Sequence, residues 1–318
     1  MENKKVKVSI VIAAYNEEES IKMCYEQVNE QCLKLNKDYE IIFVNDGSKD
    51  NTLNILADIA QQNKKVKVIN FSRNFGQRPA LLAGFEKSTG DVVINLDADL
   101  QDPVFLIDEF VKKWEEGFDV VLAKRKKRKG ESLFKKLTSK LYYKLYKKIT
   151  NSNTPLDCGI SRLLSRKVVN HIVSMPEHNI YLAGLTEFVG FKQTVVEYDR
   201  DERKFGKTKY GLKSLMNLAV NNIMPYTSAP VNFVLGLGAF LSFAGIAMAV
   251  TFTILLLCGV GFSNLWWLGT ALTALSGVIT FSVGIVGMYV VRVYVESLNR
   301  PKYIVAQTYN LGDDDEQN

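Results

Sequence analysis

In the first part of the chain, short β-branched runs alternate with segments whose apolar residues recur at helical spacing. The extended runs predict strands over residues 6–12, 40–44, 66–69, 92–96 and 119–122. The segments between them predict helices over residues 21–35, 52–62, 79–87 and 104–114, with Ser20 as the first N-cap. Strands separated by helices imply right-handed crossovers. The pattern therefore predicts an α/β domain with a mostly parallel sheet covered on both faces.

The pattern changes between Lys213 and Arg292, where no residue is charged. Residues 231–259 and 265–291 are nearly all apolar, and a bilayer helix needs only about 20 such residues. Two buried core helices would look similar, but the length of both runs favours a transmembrane hairpin. Lysines and arginines flank the hairpin and none lies in its turn, so both termini are expected in the cytoplasm. The expected boundaries are a cytoplasmic domain over 1–212, a juxtamembrane helix over 213–228, two transmembrane helices within 229–294 and a cytoplasmic tail over 295–318.

The net charge of +6 is concentrated in one segment, because Lys124 to Lys148 holds twelve Lys or Arg against the single Glu131. Within residues 132–150 leucines recur every fourth position and lysines fill the other face. This spacing predicts a basic amphipathic helix, which suits a membrane interface. A helix that binds nucleic acid shares the pattern, but the apolar hairpin favours lipid, and no nucleic-acid partner is expected.

Polar clusters follow the predicted strands at residues 15–18, 45–48, 71–77 and 97–101. Any one of them is compatible with an ordinary turn, since Asn, Asp, Gly and Ser are turn formers. In parallel sheets, however, ligands bind beyond the carboxyl ends of the strands. Clusters after successive strands therefore predict one binding site along a single edge of the sheet.

The densest cluster runs from Asp97 to Asp102. In an extended chain Asp97 and Asp99 share a face, and two close carboxylates resist joint ionisation unless a cation lies between them. Mg²⁺ accepts one or two carboxylates plus phosphate oxygens, and Gln101 adds an amide oxygen. Asp102 is predicted to cap the following helix. An acidic turn, an acid/base pair and a cation site remain open from this stretch alone.

Taken together, four segments resemble family two glycosyltransferases with the GT-A fold, and in particular their polyprenyl-phosphate branch. That branch includes dolichol-phosphate mannose synthases and bacterial undecaprenyl-phosphate glucosyl- and aminosugar transferases. The segments are residues 9–18, 44–52, 72–77 and 97–103. Residues 155–164 resemble the family's Asp-x-Gly segment, and residues 200–210 its basic element before the membrane. The hairpin and the basic helix are also typical of bacterial members, so the resemblance covers nearly the whole chain.

The resemblance implies roles for particular residues. It makes Asp157 the catalytic carboxylate, and Asp97, Asp99 and Gln101 the ligands of Mg²⁺ or Mn²⁺. It places the nucleotide-sugar against Ala13, Tyr15, Glu17, Asn45, Asp46, Arg73 and Asp97. It places the acceptor and the donor diphosphate against Arg125, Arg128, Arg200, Arg203, Lys207 and Lys209. The chain departs from the family pattern at five positions. Ala13 stands where Pro is common, Asn45 where Asp is common, and Thr208 where Ser is common. Ile160 and Ser161 stand where an acidic and an aromatic residue are common.

The expected activity is inverting transfer of a sugar, with a UDP-hexose such as UDP-glucose favoured as donor, to a membrane polyprenyl phosphate such as undecaprenyl phosphate. The product would serve cell-envelope glycosylation at the cytoplasmic membrane. One alternative is a processive polysaccharide synthase, which predicts a Gln-x-x-Arg-Trp segment that the sequence lacks. Another is a membrane scaffold that binds nucleotide-sugars without catalysis. The sequence leaves the sugar and a homo-oligomeric state open.

Overall fold

The computed structural model describes residues 6–125, 158–177, 180–198 and 299–312, together with scattered positions between 254 and 298. For Arg125 only the backbone is described. The predicted interfacial helix over 132–150, the juxtamembrane helix over 213–228 and most of the hairpin over 229–294 lie outside these residues. No helix among the described positions has the length and apolar character needed to cross a bilayer.

Strands and helices alternate through the first part of the chain, as the apolar pattern predicts. The strands are β1 (Lys7–Ala14), β2 (Asp38–Asn45), β3 (Val66–Phe71), β4 (Val92–Asp97) and β5 (Val120–Arg125). The helices between them are α1 (Ile21–Lys34), α2 (Thr52–Gln62), α3 (Gln77–Lys87) and α4 (Leu106–Glu115). Ser20 is the N-cap residue of α1, but its side chain makes no capping hydrogen bond; its hydroxyl donates to Glu17 Oε2 at 2.7 Å.

The elements that follow were not predicted: β6 (Cys158–Ser165), α5 (Arg166–Ser174), α6 (Leu182–Val189), β7 (Gln193–Tyr198) and β8 (Val305–Tyr309). The eight strands form one sheet in the order β7-β5-β6-β4-β1-β2-β3-β8. The strands β3, β2, β1 and β4 are parallel neighbours, whereas β6 is antiparallel to both β4 and β5. Strands β5 and β7 are parallel to each other and run in the same direction as the first four, whereas β6 and β8 run in the opposite direction. The described sheet is therefore mixed but mostly parallel, as predicted.

Helices cover both faces of the sheet, and the strands are apolar for that reason. Along β1, Ile10 and Ile12 are buried in one core and Val11 is buried in the other, as the two-residue period of a strand requires. Helix α4 shows how the sequence specifies a helix for such a layer. Its residues Leu106, Ile107, Phe110 and Val111 form the buried stripe, while acidic residues occupy its first turn and lysines its last, as the helix dipole favours.

The prediction that residues 295–318 are a tail is wrong for the described part of this segment. Strand β8 pairs antiparallel with β3, and the Tyr303 ring stacks on Phe71 with centroids 4.9 Å apart. The backbone N–H of Ser72 donates to the Ile304 carbonyl at 3.0 Å. Strand β8 is too short and too exposed to show an apolar period of its own. Its pairing depends on β3, which is distant in the sequence.

Residues 212–300 form a second compact unit.

A buried carboxylate stabilises the amino-terminal edge of the sheet. Glu40 of β2 is 2% exposed, accepts hydrogen bonds from the Ser9 hydroxyl at 2.6 Å and the Thr89 N–H at 2.6 Å, and forms ion pairs with Lys7 and Lys67. Burial alone would raise the pKa of Glu40, but the hydrogen bonds from Lys67, Ser9 and Thr89 outweigh it and lower the pKa from 4.5 to about 2. Glu40 therefore stabilises the fold in its ionised form.

Glu40→Gln is expected to change how stability depends on acid pH. In the wild type the unfolded chain binds more protons than the folded one between pH 4.5 and about 2, so this contribution is complete above that window and is lost as pH falls through it. Denaturant unfolding of both proteins at several pH values should show a wild-type advantage that shrinks below pH 4.5. A difference in the free energy of unfolding between wild type and variant that is equal at pH 7 and pH 3 would contradict the lowered pKa of Glu40.

Candidate active site

The strand register brings the predicted polar clusters to one edge of the sheet. Ala13, near the end of β1, lies between Val44 of β2 and Asp97 of β4. Asn45 at the end of β2 is paired with Asn70 of β3. Because these strands are parallel, the loops that follow them all leave from the same side. The expectation that these loops meet at one edge is confirmed, and their role as a single binding site stays a prediction.

The antiparallel strand β6 brings a further segment to this edge by its amino end. Cys158, its first residue, is paired with Lys124 of β5, and Arg162 is paired with Asn95 of β4. Strands β5 and β7 run parallel and end together with Arg125 opposite Tyr198. Asp157 precedes β6 by one residue and, like Arg128, Arg200, Arg203, Lys207 and Lys209, lies outside the described residues. Their roles stay predictions.

The loops after β1 and β2 hold each other through side chains. The Asn16 N–H donates to the Ser48 hydroxyl at 3.0 Å, the Lys49 N–H donates to Asn16 Oδ1 at 2.9 Å, and the Glu17 N–H donates to the Thr52 hydroxyl at 2.9 Å. Asn16 has a φ of 53°, a left-handed conformation that Asn tolerates better than most residues. These bonds fix the loop that carries Tyr15, whose side chain is 37% exposed.

Asp46 ties the second loop to the third. Its carboxylate is 2% exposed and accepts hydrogen bonds from the N–H groups of Phe75 at 2.7 Å and Gly76 at 2.9 Å. Burial raises the pKa of Asp46 above its usual value, although both hydrogen bonds and the charge of Arg73 oppose this shift. The exposed Arg73 guanidinium lies over the Phe75 ring, 4.1 Å from its centroid. Asp46 thus shapes the Arg73 loop, and its predicted contact with the nucleobase stays a prediction.

Asn45, which precedes Asp46 in the chain, is also buried, and its side chain makes two hydrogen bonds. Its amide donates to Asn70 Oδ1 at 2.7 Å and its carbonyl oxygen accepts the Ser48 hydroxyl. The family commonly has an acidic residue at this position. A neutral amide can both donate and accept, so Asn45 links strand β3 to the loop after β2 without adding a buried charge.

Three candidate carboxylates lie close enough to one buried thiol to act on its charge. Cys24 on α1 is 1% exposed, and its pKa is raised to about 12, first by burial and then by the charges of Asp99, Glu17 and Asp97. Glu17 belongs to the loop after β1, and the two aspartates to the loop after β4. Negative charge from two separate loops therefore accumulates around the carboxyl edge of β1.

The loop after β4 differs from its prediction in two respects. Strand β4 ends at Asp97 and the chain turns at once, with Leu100 at a φ of 54°, so Asp97 and Asp99 do not share the face of an extended strand. Helix α4 begins at Leu106 with Phe105 at its N-cap, so the prediction that Asp102 caps this helix is wrong. Two hydrogen bonds hold the turn instead. Gln77 Nε2 donates to Asp97 Oδ1 at 2.9 Å, and the Gln101 N–H donates to Asp99 Oδ1 at 3.1 Å.

The donor set of this loop fits a hard divalent cation. Within the described ranges, no three His, Cys, Asp or Glu side chains are grouped in a way that could hold a metal ion by themselves. Asp97, Asp99 and Gln101 offer two carboxylates and an amide oxygen, the oxygen ligands that Mg²⁺ accepts when a phosphate completes its shell. A phosphate-bearing ligand beside this loop would complete the shell of a metal bound here.

Sequence reasoning assigned no role to several residues that the structure brings to this edge. Arg162 is 4% exposed and donates to the carbonyl oxygens of Ile160 at 3.0 Å and Gly159 at 3.3 Å. Burial lowers its pKa to about 10. The sequence signal for a buried Arg162 is its position directly before Leu163 and Leu164, in an apolar strand. Gln77 lies in a recognised motif, but only the fold shows that it contacts Asp97.

Comparisons with known proteins show the family to which the chain belongs. The model of "Glycosyl transferase family 2" matches residues 9–173. A Bacillus subtilis glycosyltransferase, YkcC, is 40% identical over 96% of this chain and 95% of its own length. The bactoprenol glucosyl transferase of Shigella phage SfII is 37% identical over 96% and 99%, and an Escherichia coli prophage bactoprenol glucosyl transferase homolog is 38% identical over 94% and 98%.

The chain belongs to glycosyltransferase family 2, and it is a glycosyltransferase. The predicted resemblance to this family and its GT-A fold is thereby confirmed.

Gly47→Ala is expected to disrupt the site. A Cβ at Gly47 would lie 2.3 Å from the carbonyl carbon of Arg73, and the φ of +62° adds strain of about 1–3 kcal/mol. The matched control is Gly117→Ala, where φ is +91° and nothing lies within 4 Å. Both variants should unfold more easily, but only Gly47→Ala should weaken nucleotide-sugar binding. Equal binding affinity of the two variants would contradict the packing described here.

Proposed function

We propose that this enzyme transfers a hexose, with inversion, from a UDP-sugar to a polyprenyl phosphate at the cytoplasmic face of the cell membrane. UDP-glucose is the favoured donor and undecaprenyl phosphate the favoured acceptor, and the product would supply cell-envelope glycosylation. The observation that carries the proposal is the similarity to bactoprenol glucosyl transferases, bactoprenol being a polyprenol. The match extends over 94–96% of this chain and therefore includes its uncharged segment as well as the sheet.

The nature of the acceptor determines how much catalysis the protein must supply. A phosphate oxygen of the lipid attacks the anomeric carbon, the bond from that carbon to the diphosphate breaks, and the nucleoside diphosphate leaves. A phosphate monoester has a second pKa of about 6, so the nucleophile is already mostly dianionic near neutrality. A strong general base is therefore less necessary than for a sugar hydroxyl. Asp157 is proposed to orient the acceptor or to take a residual proton.

On the donor side, the loops described above would bind the two ends of the nucleotide-sugar. Tyr15, Glu17, Asn45 and Arg73 lie at the ends of the first three strands, where the nucleoside is proposed to bind. Asp97, Asp99 and Gln101 would hold Mg²⁺ or Mn²⁺. When bound, such a cation neutralises negative charge that develops on the leaving diphosphate.

Two polyanions must meet in this site, and basic residues are proposed to offset their repulsion. Arg125 ends β5 at the carboxyl edge, and Arg128 follows it by three residues. Arg200, Arg203, Lys207 and Lys209 follow β7, which ends beside β5. Arginine suits bidentate contacts with phosphate, while lysine acts as a point charge.

Membrane attachment is supported by the apolar surface of the described positions after Ile254. Helical positions from Leu268 to Val293 expose large apolar side chains, Val283 and Val293 being 65% and 68% exposed. Extended apolar surface of this kind marks contact with lipid or with another protein. The uncharged stretch between Lys213 and Arg292 supports the proposed two-helix hairpin, and its basic flanks support the proposal that both termini lie in the cytoplasm.

The reaction is tested with the purified full-length protein, undecaprenyl phosphate and a panel of labelled nucleotide-sugars, each with and without a chelator. UDP-glucose should label the lipid, chelation should abolish labelling, and Mg²⁺ or Mn²⁺ should restore it. Asp99→Asn should lower the rate by about 100-fold, because metal stabilisation of the leaving group is worth several kcal/mol. Glu40→Gln, a buried carboxylate change at the opposite edge, should keep the metal dependence. If no donor labels the lipid, the proposal fails.

The role of Asp157 is tested separately at saturating lipid phosphate. Asp157→Asn should remove most of the turnover while leaving donor binding intact, because the residue is proposed to act on the acceptor. Asp119→Asn is the control, since Asp119 precedes β5 at the other edge and pairs with Lys167 at 2.8 Å. Turnover of Asp157→Asn close to that of the control would exclude the proposed role.

A further inference from the structure

Beside the predicted metal loop, a buried carboxylate links separate parts of the chain. Asp102 is 4% exposed, and its two oxygens each accept a hydrogen bond from a hydroxyl: Oδ2 from Ser161 and Oδ1 from Tyr198. Ser161 is 0% and Tyr198 1% exposed, so these bonds are shielded from water. Low local dielectric strengthens such hydrogen bonds.

The three residues of this cluster each lie close in sequence to a segment with a proposed role in the reaction. Asp102 directly follows Gln101, the last predicted metal ligand. Ser161 lies four residues after Asp157, and Tyr198 lies two residues before Arg200. The cluster therefore joins residues adjacent to three segments that the proposed function assigns to the metal, to the catalytic carboxylate and to the phosphates.

Ser161 is also one of the positions where this chain departs from its family, which commonly has an aromatic residue there. Ser161 supplies one of the two hydroxyls that Asp102 accepts, from strand β6. Tyr198 supplies the second hydroxyl from a different strand, β7. Loss of either hydroxyl removes a hydrogen bond to a buried carboxylate oxygen.

We propose that Asp102 is a positioning residue, which through Ser161 and Tyr198 sets the metal-binding loop in register with the acceptor-binding segments. The proposal rests on the proposed function for the reaction it serves. Asp102 does not touch the reacting atoms in this account. It fixes the turn that carries Asp99 and Gln101 against β6 and β7, so that the donor diphosphate and the acceptor phosphate meet in a reactive geometry.

The clearest variant is Tyr198→Phe, because it keeps the ring and removes only the hydroxyl; Ser161→Ala is the second. Partners that orient metal ligands typically change metal affinity or activity by about 10- to 100-fold when they are replaced. Both variants should therefore lower kcat by about 10-fold or more and raise the Mn²⁺ concentration needed for half-maximal activity. The double variant should lose less than the two single losses combined, because both act through one carboxylate.

The control is Ser9→Ala, which removes a hydroxyl bond to the buried carboxylate of Glu40 at the other edge of the sheet. Ser9, like Ser161, is 0% exposed, so the two alanine variants are matched in burial and chemistry. Ser9→Ala should lower the unfolding temperature but leave kcat and the Mn²⁺ requirement unchanged. A structural role alone would make Tyr198→Phe and Ser161→Ala behave in the same way as this control.

Amide hydrogen exchange of the full chain gives a readout that needs no turnover. Tyr198→Phe should increase exchange at residues 98–102 and 158–161, whereas Ser9→Ala should leave these residues unchanged. If the wild type transfers sugar but Tyr198→Phe alters neither kcat, Mn²⁺ requirement nor exchange at these residues, the positioning role is overturned. A wild type that transfers no sugar, with exchange altered as expected, would instead overturn the proposed function and leave the positioning of the loop standing.

Discussion

The parallel pairing of β1 with β2 and β4 determines where the chemistry of this protein lies. These strands are buried on both faces and mostly apolar, so most of the polar residues lie in the loops at the strand ends. Because parallel strands end on the same side, the loops after β1, β2 and β4 meet there without any need for sequence proximity. The antiparallel entry of β6 then brings the segment next to Asp157 to the same edge by its amino end.

Buried carboxylates stabilise both edges, and they do so by different means. Glu40 at the amino edge combines lysine ion pairs with hydroxyl and amide donors, which keeps it ionised to low pH. Asp46 accepts backbone amides and Asp102 accepts hydroxyls at the carboxyl edge. Asp46 and Asp102 hold loops that bear candidate ligands, whereas Glu40 does not. We therefore relate Asp46 and Asp102 to function and Glu40 to stability.

The sequence predicts the first half of the fold well, because each of those strands and helices carries its own period of apolar residues. It also predicts which polar loops share an edge, since that follows from parallel crossovers. The strands β6, β7 and β8 were missed because their partners are distant in sequence and β8 in particular is exposed. The local spacing of Asp97 and Asp99 was misread as extended, because a left-handed residue at Leu100 turns the chain. Asp102 was misread as a cap, since its donors Ser161 and Tyr198 become its neighbours only in the folded chain.

The central claim is that a divalent cation and a nucleoside diphosphate bind together at the carboxyl edge, each completing the site of the other. Electron paramagnetic resonance of Mn²⁺ measures this directly, because the signal of the free ion falls when Mn²⁺ binds to the protein. The account predicts weak binding of Mn²⁺ to the full-length protein alone, tight binding when UDP is present, and loss of that gain in Asp99→Asn. Equal affinity for Mn²⁺ with and without UDP, or a gain that survives in Asp99→Asn, would contradict it.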